Sequence, residues 1–238
     1  MKDTCILPLN KSQAARAGDY CTQHSAVLPS SVAEQARLTE KLFPDLADMA
    51  PSNPQCSWMM SFTRVLRPSR ILELGTFTGV SALAFYEATR DTQAEITTIE
   101  MSEKFLQISG AAFAHHGADD RIQTVQGECL KMLPTLKGEF DLIYIDAAND
   151  EYEAYTRYIL DHKLLSSRGV LLVDDTLHEG AVFDASLFDQ LKEQYRDYPQ
   201  YPGWTGPIHK FNEYAVSDDR VVSTLLPIFN GVTQITWK

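Results

Sequence analysis

The sequence has no basic run, no Cys-x-x-Cys pair, no Gly-x-Gly-x-x-Gly and no apolar stretch near the roughly 20 residues that cross a bilayer. Each absence excludes something. Lys and Arg number 21 against 32 Asp and Glu, a net charge of −11. Such a chain repels phosphate backbones and anionic lipid, so no nucleic acid and no membrane are expected as partners. The four cysteines (Cys5, Cys21, Cys56, Cys129) are far apart and are read as free thiols in a reducing compartment. Met1 to Asn10 lacks the basic-then-apolar order of a secretory leader, and a cytoplasmic location is expected. The missing dinucleotide fingerprint argues against a nicotinamide or flavin site.

At 238 residues, 44% hydrophobic and 22% charged, the chain reads as one globular domain over 1–238. Its organising stretch is Ile71-Leu72-Glu73-Leu74-Gly75-Thr76-Phe77-Thr78-Gly79-Val80-Ser81. An apolar β-rich run stops at Gly75, and a helical pattern begins after Gly79. A strand that turns over glycines into a helix makes a ligand seat, because the backbone can approach the ligand and the helix start offers free N–H groups. Glu73, an acid inside an apolar strand, needs a partner if buried. The Glu-x-Gly-x-x-x-Gly spacing suits a nucleoside ligand without a pyrophosphate, although an ordinary βα turn can also hold two glycines.

Residues 1–68 read as an N-terminal helical cap. Ser30 or Ser31 is placed to cap a helix over Val32 to Phe43, with Glu34 completing a capping box. Pro44, Pro51 and Pro54 mark a loop, and a second helix is expected from about Gln55 to Leu66, ending before Pro68. From residue 69 to 238 the pattern becomes an α/β core. Strands are expected at Arg70–Leu74, Glu95–Ile99, Ile122–Val125, Phe140–Ile145 and Gly169–Val173, with helices at about 80–90, 102–115, 128–136 and 150–163. Such alternation predicts a parallel sheet covered on both faces, with ligands bound beyond the carboxyl ends of its strands. Two further β-rich runs, at 221–226 and 232–237, flank an Asn230-Gly231 turn signal, which predicts an antiparallel hairpin closing a seven-stranded sheet.

The strand ends carry the chemistry. Glu100, ending the second strand, is placed to accept ribose hydroxyls. Gly127-Glu128-Cys129 follows the third; it suits an adenine edge or a plain turn. Asp146, Asp174 and Asp175 end the fourth and fifth. Three acids on one spot repel unless a cation is present, and hard oxygen donors suit a divalent ion with retained waters. A metal-free acid pair with a raised pKa is the alternative.

These stretches together resemble the small metal-dependent O-methyltransferases of the catechol and caffeoyl-CoA type. The matching pieces are ILELGTFTGVSAL, ITTIE, FDLIYIDA, GVLLVDD and LLPIFNGVTQITWK. The early YCTQHSAVLP and the Trp-Lys ending look most like fungal members that decorate secondary metabolites. The resemblance implies a Rossmann-like methyltransferase fold with S-adenosyl-L-methionine as methyl donor. Glu73, Gly75, Thr76, Phe77 and Ser81 would hold its amino-acid end, Glu100 the ribose and Gly127, Glu128 and Cys129 the adenine, with Asp146 alongside. Asp146, Asp174 and Asp175 would hold a divalent cation, usually Mg2+, that binds vicinal oxygens of a small aromatic acceptor. A homodimer is a family expectation.

The chain departs from that family in three places. Asn149 stands where relatives carry a catalytic lysine, and an amide orients a hydroxyl but does not take its proton at neutral pH. Asp175 replaces an asparagine, adding charge. Ala148 stands where the catechol enzymes have an aromatic residue over the adenine; other branches of the family also have a small or acidic residue there. His178, four residues after Asp174, is a candidate replacement base, or a solvent-facing loop histidine. His24 is a candidate acceptor contact. His115 and His116 read as a favourable helix C-terminal cation site rather than as ligands. Tyr195 to Phe211, rich in aromatics, suits a lid over a flat acceptor, or a packed surface loop or dimer contact. The leading expectation is O-methylation. A non-methylating cyclisation, elimination or rearrangement in a retained cofactor pocket competes with it, as does a non-catalytic binding partner.

Overall fold

The computed structural model describes residues 11–196 and 198–238. Cys5 lies outside them, and Cys21, Cys56 and Cys129 are unpaired. Three helices come first: α1 (Lys11–Gln23), α2 (Ser30–Leu42) and α3 (Asn53–Leu66). Then β1 (Arg70–Leu74), α4 (Val80–Ala88), β2 (Glu95–Glu100), α5 (Glu103–His115), β3 (Ile122–Gln126) and α6 (Cys129–Met132) alternate. They are followed by β4 (Phe140–Ile145), α7 (Tyr152–Asp161) and β5 (Leu165–Val173). Helices α8 (Ala185–Gln194), α9 (Gln200–Gly203) and α10 (Thr205–Ser217) lead to the hairpin strands β6 (Val221–Leu226) and β7 (Val232–Trp237).

The seven strands lie in the order β3-β2-β1-β4-β5-β7-β6. The first five are parallel, and β7 runs antiparallel to both β5 and β6, as the alternation and the Asn-Gly turn predict. Period-two alternation sorts the side chains. Ile71, Leu142, Tyr144 and Leu172 face α3, α4 and α5, whereas Leu72, Leu74, Ile143, Ile145 and Val173 face α7 and α10. Both faces are apolar because both are covered. Glu73 falls on the first face. Register sets it between Thr98 of β2 and Tyr144 of β4, so one row of the sheet carries three polar groups into the core.

Local expectations needed four adjustments. The N-cap of α2 is Pro29, with no side-chain cap; the Ser31 hydroxyl donates instead to Glu87 on α4, which leaves the Glu34 capping box unmade. Helix α3 begins at Asn53, because the Ser52 side chain caps it by accepting from the Gln55 N–H. Strand β5 starts at Leu165, earlier than expected, and a register shift between Phe140 and Leu142 absorbs the extra residues. The 128–136 helix splits at Pro134 into α6 and a 3-10 turn, since proline cannot donate to the continuing helix.

Helix α2 is docked through polar contacts as well as through Val32. The Gln35 amide donates to the Thr78 carbonyl at 2.6 Å, and the Thr39 and Thr78 hydroxyls meet at 2.7 Å, all buried. The cap thereby braces the glycine turn of β1. Gln35→Leu orphans the buried Thr78 carbonyl, and a stability loss of about 1–3 kcal/mol in urea unfolding is expected; an unchanged midpoint would refute this bracing.

Candidate active site

Parallel-ladder hydrogen bonds continue one residue past the strands. The Gly75 N–H donates to the Ile99 carbonyl, the Asp146 N–H to Leu74 and the Asp174 N–H to Ile145. The glycine turn and two of the predicted acids are therefore set side by side. The approach is so close that a Cβ on Gly75, at φ +97°, would stand 2.0 Å from the Asp146 carbonyl oxygen. Gly79, at φ +89°, starts α4 where a Cβ would run into Phe113.

Glu73 is fully buried beneath this turn. Its Oε2 accepts from the Thr98 hydroxyl at 2.5 Å, and Thr98 Oγ1 in turn pairs with Thr76 Oγ1 at 2.5 Å. Among the described residues its Oε1 has no hydrogen-bond partner. Burial pushes the carboxyl up to about 7, the hydroxyls of Ser81 and Thr98 pull it back, and the charge of Glu100 adds to the rise. A buried, half-satisfied carboxylate is what a cationic ligand group would complete. Glu100 accepts from the Phe77 N–H at 2.9 Å and the Ser102 N–H at 2.8 Å, which fixes its carboxylate and leaves lone pairs for hydroxyl donors. Phe77 itself, at φ +46°, stacks edge-on against Phe105. Of the third-strand loop, Gly127 is at φ +148° and Cys129 is buried, its thiol pushed up to about 12 mainly by burial. Glu128 turns outward to Lys131 at 2.6 Å, the plain-turn alternative for its side chain.

The acid trio sits next to this. Asp174 is buried, and Asp146 and Asp175 are half-buried. Tyr144 donates to Asp174, and its oxygen is 3.5 Å from Asp146. Gln55 on α3 donates to Asp174 at 2.5 Å, and Asn230 in the hairpin turn donates to Asp175 at 2.9 Å. All three carboxyls are held above the usual range, first by burial. Repulsion adds to this: Asp174 and Asp175 act on Asp146, Asp175 on Asp174, and Glu179 on Asp175. Among the described residues every side chain that bonds to them is neutral. The donors fit a hard divalent ion in kind and in charge. They have not closed into a cage, because the trio's ligand atoms do not all lie within 4.8 Å of one another.

His178 is not solvent-facing: it is fully buried, at φ +46°, and among the described residues neither ring nitrogen has a hydrogen-bond partner. Burial lowers its pKa, which keeps the imidazole neutral. Its ring lies 4.7 Å from that of Tyr201. Tyr195 and Tyr201 both donate to Glu179, at 3.0 and 3.4 Å, so the aromatic stretch is latched onto the loop after β5. Phe211 is an exception: it is a core residue against Tyr152, not part of a lid. Asn149 is buried and its amide donates to the Tyr152 hydroxyl at 2.9 Å. His24 is exposed, stacked on Tyr20 and bonded to the Tyr20 carbonyl. Sequence reasoning missed Gln55, Tyr144 and Asn230. Only Tyr144 had a signal, two residues from Asp146 on one strand; Gln55 and Asn230 arrive from distant segments.

Comparison with known proteins agrees with this geometry. A sequence model of the O-methyltransferase family matches residues 22–237. O-methyltransferase hkm8 of Aspergillus hancockii is 55% identical, covering 100% of both chains. O-methyltransferase ankF of Aspergillus thermomutatus is 36% identical over 98% of this chain and 97% of its own. The crystal structure of SAH-bound Podospora anserina methyltransferase PaMTH1 superposes with a TM-score of 0.93, at 41% identity and 99% coverage of both chains.

The raised Glu73 carboxyl has a pH signature. The native state holds this proton more tightly than the unfolded chain. The stability so conferred is full below about 4.5 and is lost as pH rises through about 7. Glu73→Gln removes that loss. The variant's melting temperature relative to wild type, both cofactor-free, is expected to climb between pH 5 and 8, by the equivalent of about 3 kcal/mol at most. An equal difference at both pH values would show that Glu73 is ionised throughout.

Proposed function

Because the chain belongs to the O-methyltransferase family, we propose that it moves the methyl group of S-adenosyl-L-methionine to a hydroxyl of a small aromatic acceptor. The observation that carries this reading is the ladder that sets the glycine turn against Asp146 and Asp174, so that a nucleoside seat and an acid cluster share one rim. Bound, the cofactor supplies an electrophilic methyl group. SAH, its demethylated product, occupies the Podospora structure. Glu73, with its unpaired oxygen, receives the amino group, and Ser81 stands beside it. Thr76 and Phe77 shape the turn. Glu100 takes the ribose hydroxyls, and the backbone of Gly127 to Cys129 borders the adenine.

Asp146, Asp174 and Asp175 would hold a divalent ion of the magnesium class, their mutual repulsion being the supporting observation. Such an ion would lower the pKa of a bound hydroxyl and fix two vicinal oxygens. The chain's own part is positioning and proton handling. Aromatic rings lie on the segments that reach the acids: Trp58 and Phe229, 5.7 Å apart, come from the helix of Gln55 and the turn of Asn230, and Tyr201 stands with His178. A flat phenolic ring suits these rings. Asn149 is committed to Tyr152 and cannot act as the base. His178, its pKa lowered by burial and its ring nitrogens unpaired among the described residues, is assigned to accept the hydroxyl proton. The reading extends to a secondary metabolite as acceptor and to action in the cytoplasm, on the resemblance to fungal O-methyltransferases.

One observation favours a second reading. With Asn149 turned away, the site lacks its usual lysine, and a retained cofactor pocket serving a non-methylating rearrangement would need none.

The deciding measurement is transfer of labelled methyl to a panel of catechols with magnesium, with and without chelator. Transfer abolished by chelation is the expected result; cofactor binding without transfer to any acceptor would favour the second reading. In the same assay His178→Ala is expected to lower kcat about 10²- to 10⁴-fold, the range for loss of a general base, with cofactor affinity unchanged. Undiminished turnover would remove His178 from the mechanism.

A further inference from the structure

Helix α5 starts beside Glu100 and runs back along the sheet, so His115 and His116 at its end lie at the opposite, amino-terminal edge of the strands. The short link through Gly117 and Ala118 then enters β3, with Arg121 already bonded to Ile96. Helix α2 lies antiparallel along α4: Gln35 reaches Thr78 at the start of α4, and Ser31 reaches Glu87 near its end. That packing carries Glu34 from the cap onto the histidine pair. One oxygen of Glu34 and one nitrogen from each histidine lie within 4.8 Å of one another, the sole such group of His, Cys, Asp or Glu among the described residues. The two imidazoles meet edge to face, centroids 4.7 Å apart. Glu34 and His115 are exposed and His116 is half-buried. Nearby Glu87, held by Ser31 and Arg90, adds a negative field that reaches His116.

The geometry points to a second metal site, at which Glu34, His115 and His116 bind one borderline transition ion of the zinc, nickel or copper class. Two imidazole nitrogens and one carboxylate oxygen are a donor set for such ions, whereas magnesium prefers all-oxygen surroundings. Three protein ligands leave a position for water. The gap to a closed site is small: the exposed Glu34 and His115 and the half-buried His116 at the end of α5 need only side-chain rotation to bring donors from within 4.8 Å to bonding distance. The site is separate from the acid trio in place and in chemistry. Its consequence is mechanical, since an ion there ties α2 of the cap to the end of α5 in the core.

The experiment uses the full chain, stripped of metal and held in excess magnesium so that the acid trio is saturated. Zinc is titrated calorimetrically and thermal unfolding is followed in parallel. One equivalent of copper(II) is then examined by electron paramagnetic resonance. The expected result is one zinc equivalent, a rise in melting temperature of about 5–10 °C at a hundredfold excess over Kd, and copper superhyperfine structure from two nitrogens. His115→Ala and His116→Ala are each expected to lower zinc affinity about tenfold or more and to leave one nitrogen on copper; Glu34→Gln keeps both nitrogens but weakens zinc. Zinc binding unchanged in the His115→Ala/His116→Ala double variant, or a copper spectrum without nitrogen coupling, overturns the proposal. If a variant is less stable without metal, the wild-type copper spectrum alone decides.

Discussion

The parallel β-ladder, carried one residue beyond β1, β4 and β5, is the constraint on which the rest depends. Backbone hydrogen bonds leave Gly75, Asp146 and Asp174 no freedom to separate. The spacing is tight enough that only glycine fits the first position, since any side chain would enter the Asp146 carbonyl. The local sequence Leu-Gly at the end of β1 thus follows from what β4 places next to it.

This arrangement concentrates like charge. Glu73, Asp146, Asp174 and Asp175 crowd one end of the sheet, and their carboxyls are all held above the usual range. Neutral donors, Thr98, Tyr144, Gln55 and Asn230, stabilise the cluster without cancelling it. A buried lysine or arginine would relieve the repulsion and also fill the space a ligand needs. A site that keeps its negative charge uncompensated is one that gains most from a cationic ligand group, and the buried, unpaired Glu73 oxygen is the sharpest instance.

Segments remote in the chain converge on the same few groups. The cap reaches Asp174 through Gln55; the closing hairpin reaches Asp175 through Asn230 and braces Thr176 through Thr233. The stretch after α8 reaches His178 and Glu179 through Tyr201. The positive φ values of Asp175, His178 and Glu179 gather in the one loop on which these segments close. Strain held at that point by these three surrounding segments is how a loop is kept in a sparsely populated backbone state.

The sequence by itself determined the seven-stranded sheet, its parallel and antiparallel parts, the glycine turn and the acids at the strand ends. These are encoded locally, by alternation, by glycine and by Asn-Gly, and each is read within one element or one turn. Membership of the O-methyltransferase family is legible in the same stretches. Tertiary structure decided which side chains meet across elements. It sent Ser31 to Glu87 rather than to its own helix start, and Phe211 into the core against Tyr152. It turned Asn149 to Tyr152 and buried His178 with neither ring nitrogen paired among the described residues. It also brought Glu34 to His115 and His116, though 81 residues or more of chain separate them. No periodicity records such pairings, because they depend on how one helix is laid across another, and that angle is set by the packed core as a whole.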